Sequence, residues 1–511
     1  MGAGNGFLTG FAIGPSIEGS LRGETMGDEN TILGVTAARH LLRRTGFGAS
    51  PKDVASYAGL TRGQAADRLL SFKPKGFKPA GRYIDLAHNN WLKYILKAPS
   101  GLSEKLVLFW HDHFATGYSK VLDIKRMGVQ NRLLRQNCKG NFKTLVKNIN
   151  KDPAMMEYLD TVRNFKLEVP NENYARELKE LFTLGVKDVH GNENYTQEDI
   201  VQVARAFTGW TYDGRRNVAY FDGNEHDTNA EFLAVRGTKE IFGPSHGGFA
   251  TPQRFDQPEG ETEIDQVIDI IFAHRDSDGE NTVARRTARR LLEFFTHGGF
   301  SEPGPAEIDV IDDVVATSGF AVNFELQPLL RAIFVHDEFY ASLSDATKKS
   351  VKWPVDFAVG TLRTLGVRMV GRYAYVPGGA YRGMYEQMGS MGQLLLDPPS
   401  VFGWDWESAW VSSSTLLARY SFARDIGAAR GNGGLKVAKL VDVGLTDPGD
   451  VVDAVAAVLG IDPLPSADRD ILVDYLGGPG AVLDLDDYAT RYGKLHGLFT
   501  LMIQSPAYQL H

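Results

Sequence analysis

The sequence predicts a mainly α protein, one large helical domain carrying long loop insertions and a small β-hairpin. Three observations lead there. From Thr36 onward apolar residues recur at three- and four-residue spacing through most of the chain. These stretches open on Ser, Thr or Pro with early acids and stop at Gly. Only TYDGRRNVAYF alternates like a pair of short strands, around Asp213-Gly214.

Residues 1–33 form a Gly-rich arm that would dock on the body or on a second copy, and residues 34–511 form the helical domain. AARHLLRRTGFG places Ala38, Leu41 and Leu42 on one face and stops at Gly46 and Gly48. SPKDVASYAG has Ser50 as cap, Pro51 at the first helical position and Asp53 in the first turn. LTRGQAADRLLSF follows the same plan. GLSEKLVLFWHDHFATG takes Ser103 as cap and ends near Ala115-Thr116-Gly117. The segment from Met127 reads as two helices broken at Gly140 and a third after Pro153. In YTQEDIVQVARAFTGW, Thr196 caps, Glu198 and Asp199 sit at the positive end, and Ile200, Val203, Ala204 and Phe207 form the stripe. Loop-rich insertions are expected near 211–260 and 371–415, with helices between and after them. In SSSTLLAR, Ser414 or Thr415 is expected to cap a helix, since no nucleophile elbow surrounds the serines.

Composition narrows function. Of 511 residues 43% are hydrophobic and 23% charged, which suits a large buried core. A net charge of −8 argues against nucleic acid as a partner. No run of about 18 apolar residues would span a membrane. The first residues lack the basic and apolar regions of a signal peptide. The one cysteine, Cys138, is read as a semi-exposed helix-end residue. No Walker loop, dinucleotide fingerprint or HExxH is present, so no nucleotide cofactor is expected.

Chemistry concentrates in a few polar stretches. In PNENYARELKELFTLG, Asn171 or Asn173 would cap the helix, and Glu172–Arg176 and Arg176–Glu180 are four-residue pairs. Glu177 shares a face with Asn173, Leu181 and Leu184. An inward carboxylate there needs a partner or holds its proton. In WHDHF, His111 and His113 diverge by about 200° on a helix. A metal reading would join them with Glu177 and His226 around a divalent ion; the plainer reading is a buried His pair beside Trp110. His226-Asp227 lies in a loop, and Trp210 and Trp404 lie in aromatic loops suited to stacking on sugars, to protein contacts or to packing. Arg205, and Arg290 on the helix of RRLLEFF, would meet a carboxylate or an acidic substrate.

HLLRRTGFG, LVLFWHDHFATG, NENYARELKELFTLG, YTQEDIVQVARAFTGW, the HDT at 226, RRLLEFF, PPSVFGW and SSSTLLAR together resemble the bacterial family known as domain of unknown function 1800, from about Ala37 to Tyr508. The resemblance implies export or an envelope location, often by a twin-arginine route, and a sulfatase-like partner protein. It implies no settled activity. The chain departs from the family pattern in showing no export signal, which leaves a cytoplasmic location open, and in carrying Phe182 where some relatives have His.

Three functional readings follow. The first is a hydrolase of a polymeric, carbohydrate-like substrate. Glu177 would be its acid or base, Asn173 its orienting group, Asp199 or Asp227 the second carboxylate, Trp210 and Trp404 the stacking walls, and Arg205 and Arg290 the substrate contacts. The second is a non-catalytic scaffold or binding protein of an envelope assembly. The third is a metal-dependent enzyme using His111, His113 and His226.

Overall fold

The computed structural model describes residues 28–166, 169–228, 238–256, 260–372, 374–377 and 383–511. The arm expected over 1–33 therefore lies mostly outside the described residues. Its last part, from Asp28, runs along the body: Ile32 bridges Thr61, and the Glu29 carboxylate meets Arg331 at 2.9 Å.

The chain begins as short helices joined by tight turns: α1 (Gly34–Arg44), α2 (Pro51–Ala58), α3 (Arg62–Leu70), α4 (Ile84–Lys97) and α5 (Gly101–His113). Ser50 and Thr61 each close a capping box, with Asp53 and Gln64 as the returning side chains. α5 starts earlier than its sequence suggests. Ser100, not Ser103, is the cap, and its hydroxyl accepts the Ser103 N–H at 3.2 Å. Ser and Pro in APSGLS offer several caps, and tertiary packing chooses among them.

Next come α6 (Ile124–Asn137), α7 (Phe142–Asn150), α8 (Pro153–Tyr158) and α9 (Asn173–Glu177), then α10 (Gln197–Ala206). The breaks at Gly140 and Pro153 fall where the sequence places them. Thr196 and Asp199 close a capping box on α10.

The β structure is small. β1 (Trp210–Asp213) pairs antiparallel with β2 (Val218–Phe221), Trp210 opposite Phe221, and β3 (Glu240–Ile241) pairs with β4 (Gln253–Arg254). Helices then resume as α11 (Glu263–Phe272), α12 (Thr282–Phe295), α13 (Pro305–Ser318), α14 (Leu326–Val335) and α15 (Pro354–Leu365). After the second loop-rich stretch come α16 (Ser413–Ala428), α17 (Pro448–Leu459), α18 (Ser466–Leu476) and α19 (His496–Gln504). α16 is capped by Ser412, whose hydroxyl accepts the Thr415 N–H at 3.2 Å. The expected caps Ser414 and Thr415 lie one turn inside.

The fold is mainly α, 58% helical. One contiguous apolar core runs from Leu33 to Tyr508. α5 crosses its middle and is buried on almost every face, which is why its hydrophobic residues surround the helix rather than forming a stripe. Trp110 of α5 is fully buried, stacks near Phe114 and Phe142 with ring centroids 5.8 and 5.4 Å away, and donates to the Cys138 carbonyl at 2.9 Å. Cys138 is fully buried rather than semi-exposed, and burial pushes its thiol up to about 12. Truncating such a ring costs about 3–5 kcal/mol. No helix among the described residues is long and apolar enough to cross a membrane.

Candidate functional site

Of the polar stretches, WHDHF, the turn of NENYARELKELFTLG and the helix of RRLLEFF come together where α5, the turn after α9, and α12 meet. α9 does not continue as an ordinary helix. Residues Leu178–Thr183 form a π-helical turn, in which the Lys179 carbonyl accepts both the Leu184 and Gly185 N–H groups at 2.9 Å. Such turns are rare and recur at functional sites. Gly185 has φ +82, and a Cβ there would run into the Arg286 guanidinium at 2.6 Å. The Gly is therefore required both by backbone conformation and by the close approach of α12.

Asn171 starts this element. Its side-chain oxygen accepts the Asn173 N–H at 3.1 Å, and its amide donates to the Asp160 carbonyl at 3.3 Å. Asn173 itself is exposed, with its amide 3.4 Å from Asp160 Oδ2. The two expected four-residue pairs are present, Arg176 to Glu172 at 3.0 Å and to Glu180 at 3.4 Å. Glu177 is different. It is half-buried and makes no hydrogen bond or ion pair among the described residues. Burial and then the Glu180 charge raise its pKa, against the opposing pull of Arg176.

Two residues on, Lys179 is fully buried, and its ammonium nitrogen has no hydrogen-bond partner among the described residues. It lies over the Phe242 and Tyr195 rings at 5.2 and 5.6 Å, and burial pulls its pKa down to about 7. The Asp199 charge nearby opposes that shift. Asp199 accepts the Thr196 N–H and hydroxyl on one oxygen, at 2.7 and 2.9 Å, and the Phe242 N–H on the other at 2.7 Å.

On the α12 side, Arg286, Arg289 and Arg290 are half-buried at helical spacing. Arg286 donates to the Glu180 carbonyl at 2.7 Å, and burial lowers its pKa to about 9. Arg290 pairs with Glu293 at 2.7 Å, lies 3.7 Å from Asp112, and covers the Trp406 ring at 4.7 Å. Asp112, between the two histidines of WHDHF, is fully enclosed. It accepts the Trp404 N–H at 2.7 Å, and burial pushes its pKa up to about 7. Gly403, with φ +86, allows this approach, because a Cβ would collide with the Asp112 carboxylate. The VFGW loop and the WHDHF helix thus form one unit.

The histidines fall into separate surroundings. His111 sits between Trp91 and Trp404, with ring centroids 5.7 and 5.3 Å away, and its Nε2 has no hydrogen-bond partner among the described residues. His113 points the other way, toward Phe109, Phe114 and Phe182, with Nε2 3.1 Å from the Phe182 carbonyl. Burial pushes both pKa values down to about 3. His226 is buried elsewhere, with Nδ1 2.8 Å from the Thr208 carbonyl and Nε2 3.0 Å from Lys239 and 3.2 Å from Glu263. Among the described residues no three His, Cys, Asp or Glu side chains form a group able to hold a metal ion.

Asp227 and Arg205 form a buried ion pair at 3.0 Å, and the Asp227 N–H donates to Thr208 Oγ1 at 2.9 Å. Trp210 and Trp404 are buried, 5% and 3% exposed, whereas Trp406 is half-exposed. A sequence model described as protein of unknown function (DUF1800) matches residues 40–510. The chain belongs to that family. No curated protein and no solved structure matches it. Of the residues singled out from sequence in this DUF1800 chain, Asp199, Asp227, Arg205 and His226 are bound into buried contacts, and Glu177 alone keeps an uncommitted carboxylate. Asp112, Lys179, Arg286, Glu293 and Trp406 escaped notice as site residues. Arg290 was readable on the helix of RRLLEFF, but its neighbour Arg286 was not, and the π-turn left no signal in spacing.

Proposed function

We propose that the protein is a hydrolase of the cell envelope or exterior. It would act on a polymeric, carbohydrate-like substrate, beside a sulfatase-like partner, through carboxylate acid–base chemistry. The observation that supports this reading is the state of Glu177. It is half-buried, unpartnered among the described residues and raised in pKa, at the junction of α9 with a π-helical turn. A carboxyl raised in that way by burial keeps its proton to higher pH than a paired one, as a general acid requires. Asn173 and the Arg176–Glu180 pair frame it on the same helix. Glu180, rather than the fully engaged Asp199 and Asp227, is the neighbouring carboxylate. The test is reducing-end release from a panel of polysaccharides by the wild type and by Glu177→Gln. Turnover should vanish in the variant while its melting temperature stays that of the wild type. A Glu177→Gln protein that unfolds would make the residue structural.

A second reading, a non-catalytic scaffold, is favoured by the burial of Trp210 and Trp404 and by the enclosed Arg205–Asp227 and Lys239–Glu263 pairs. These groups specify a fold rather than line a cleft. Retention of all polysaccharide-binding and assembly behaviour in an inactive Glu177→Gln protein would not separate the two readings; absence of turnover in the wild type across the panel would favour the scaffold.

A further inference from the structure

Away from Glu177, two concavities of about 550 and 560 Å³ open on the face built by α1 to α5 and α15. Each falls within the roughly 300–1,000 Å³ of ligand sites. They meet at Asp53 and Arg363, which line both. We propose that this joined groove binds an acidic polysaccharide, a glycan chain bearing carboxylate or sulfate groups.

Charge carries the argument. Arg68, Lys73 and Lys75 line one half, Lys93, Lys97 and Arg368 the other, and Arg363 the junction. None of them is in an ion pair among the described residues. Arg68 and Lys93 donate to backbone carbonyls and a hydroxyl, Arg68 at Ser56 and Lys93 at Gly371 and Arg372. The carboxylates present, Glu104 and Asp53, form no ion pair with them among the described residues; the Asp53 charge opposes the burial that lowers the Arg363 pKa. Glu104 is enclosed and held by Arg135 at 2.6 Å and by the Trp91 N–H at 3.0 Å. Asp53 accepts the Ser50 N–H and hydroxyl at 3.1 and 2.7 Å.

On a chain of net charge −8, a groove with this excess of cations is a local feature and not a reflection of composition. Exposed lysines on a convex face would need no explanation. Here the cations line concave surface, and Arg363 Nη1 is out of water without a hydrogen-bond partner among the described residues. A buried guanidinium nitrogen left open calls for a charged acceptor, which a carboxylate or sulfate supplies.

Nucleic acid is a poorer fit. Single strands bind by stacking bases on free rings, and the rings here are occupied. Tyr94 stacks on Phe77 at 3.9 Å, Arg68 covers Tyr57 at 4.4 Å, and Lys139 covers Phe72 at 4.7 Å.

The test is fluorescence anisotropy of the full chain with labelled oligogalacturonate and a heparin-derived oligosaccharide. A malto-oligosaccharide and a thymidine oligonucleotide serve as comparisons. Binding to at least one acidic glycan is expected, weakening with salt and absent for the neutral chain. Lys73 and Lys75 are exposed, so Lys73→Ala/Lys75→Ala should fold normally and bind about tenfold more weakly, as two lost charge contacts imply. Arg363→Ala should weaken binding as well. Failure to bind either acidic glycan, binding unchanged in the lysine double variant, or tighter binding of the oligonucleotide would each overturn the proposal. The readout is binding without turnover, so its failure and the failure of the Glu177 reading are distinguishable.

Discussion

Asp227 and Glu177 both come from polar stretches that looked equally chemical, and they end in opposite conditions. Asp227 is enclosed with Arg205 at 3.0 Å, beside Thr208 and the His226–Lys239–Glu263 contacts. Glu177 sits on a helix that turns π, half in water and without a partner among the described residues. The difference lies in what surrounds each residue after folding. A matched buried charge specifies the fold, because leaving one partner alone costs far more than the pair contributes. An unmatched carboxylate at a rim is free to exchange a proton. The groove cations stand with Glu177 on the unmatched side of this division.

The comparison is broken most forcefully at the deepest pair. Arg135 and Glu104 are both fully buried and bonded at 2.6 and 3.0 Å. Glu104→Gln should destabilise the protein by about 3–5 kcal/mol in urea unfolding, because it strands the Arg135 charge. A cost near zero would show that buried matched charge is not what holds this fold.

Acid should come next. His40, His111 and His113 are buried with pKa values pushed down to about 3 from 6.5, so each stays neutral in the fold and protonates when the chain unfolds. The unfolded state then binds more protons, and the stability they contribute is intact above pH 6.5 and is lost as pH falls toward 3. Asp112 works in the other direction. Its raised pKa of about 7 stabilises the fold below pH 3.8 and loses that contribution as pH climbs toward 7. Asp152, raised to about 7, acts like Asp112, but His88, His274 and His496, pushed down to about 4, add to the histidine side, so thermal unfolding between pH 4 and 6 should show stability falling with acid. In Asp112→Asn the fall should be steeper still.

A smaller effect sharpens the rule. Lys179 is enclosed without a hydrogen-bond partner among the described residues, so Lys179→Met should be neutral or stabilising by about 1–2 kcal/mol, since it removes a buried polar group that they do not satisfy. A destabilised variant would mean that Asp199 holds the ammonium firmly.

Much of the architecture was legible before any coordinates. The helices, the breaks at Gly140 and Pro153, the Thr196–Asp199 box and the hairpin at 210–221 follow from local chemistry, which acts over a few residues. The caps at Ser100 and Ser412 were missed by a turn because neighbouring serines compete and packing decides. The site was legible only in part. Polar stretches marked where charge gathers, but not which charges pair. Asp227 finds Arg205 across 22 residues, and Asp112 finds Trp404 across 292. Neither partner is implied by spacing. The divergence of His111 and His113 was readable from helical geometry; the π-turn that ends their neighbouring element was not.

The most direct measurement is the unfolding free energy of Asp227→Asn and Glu177→Gln side by side at neutral pH. A matched charge predicts a loss of about 3–5 kcal/mol for Asp227→Asn, and an unmatched one predicts a change within about 0.5 kcal/mol for Glu177→Gln. Equal losses in the two variants would contradict the account.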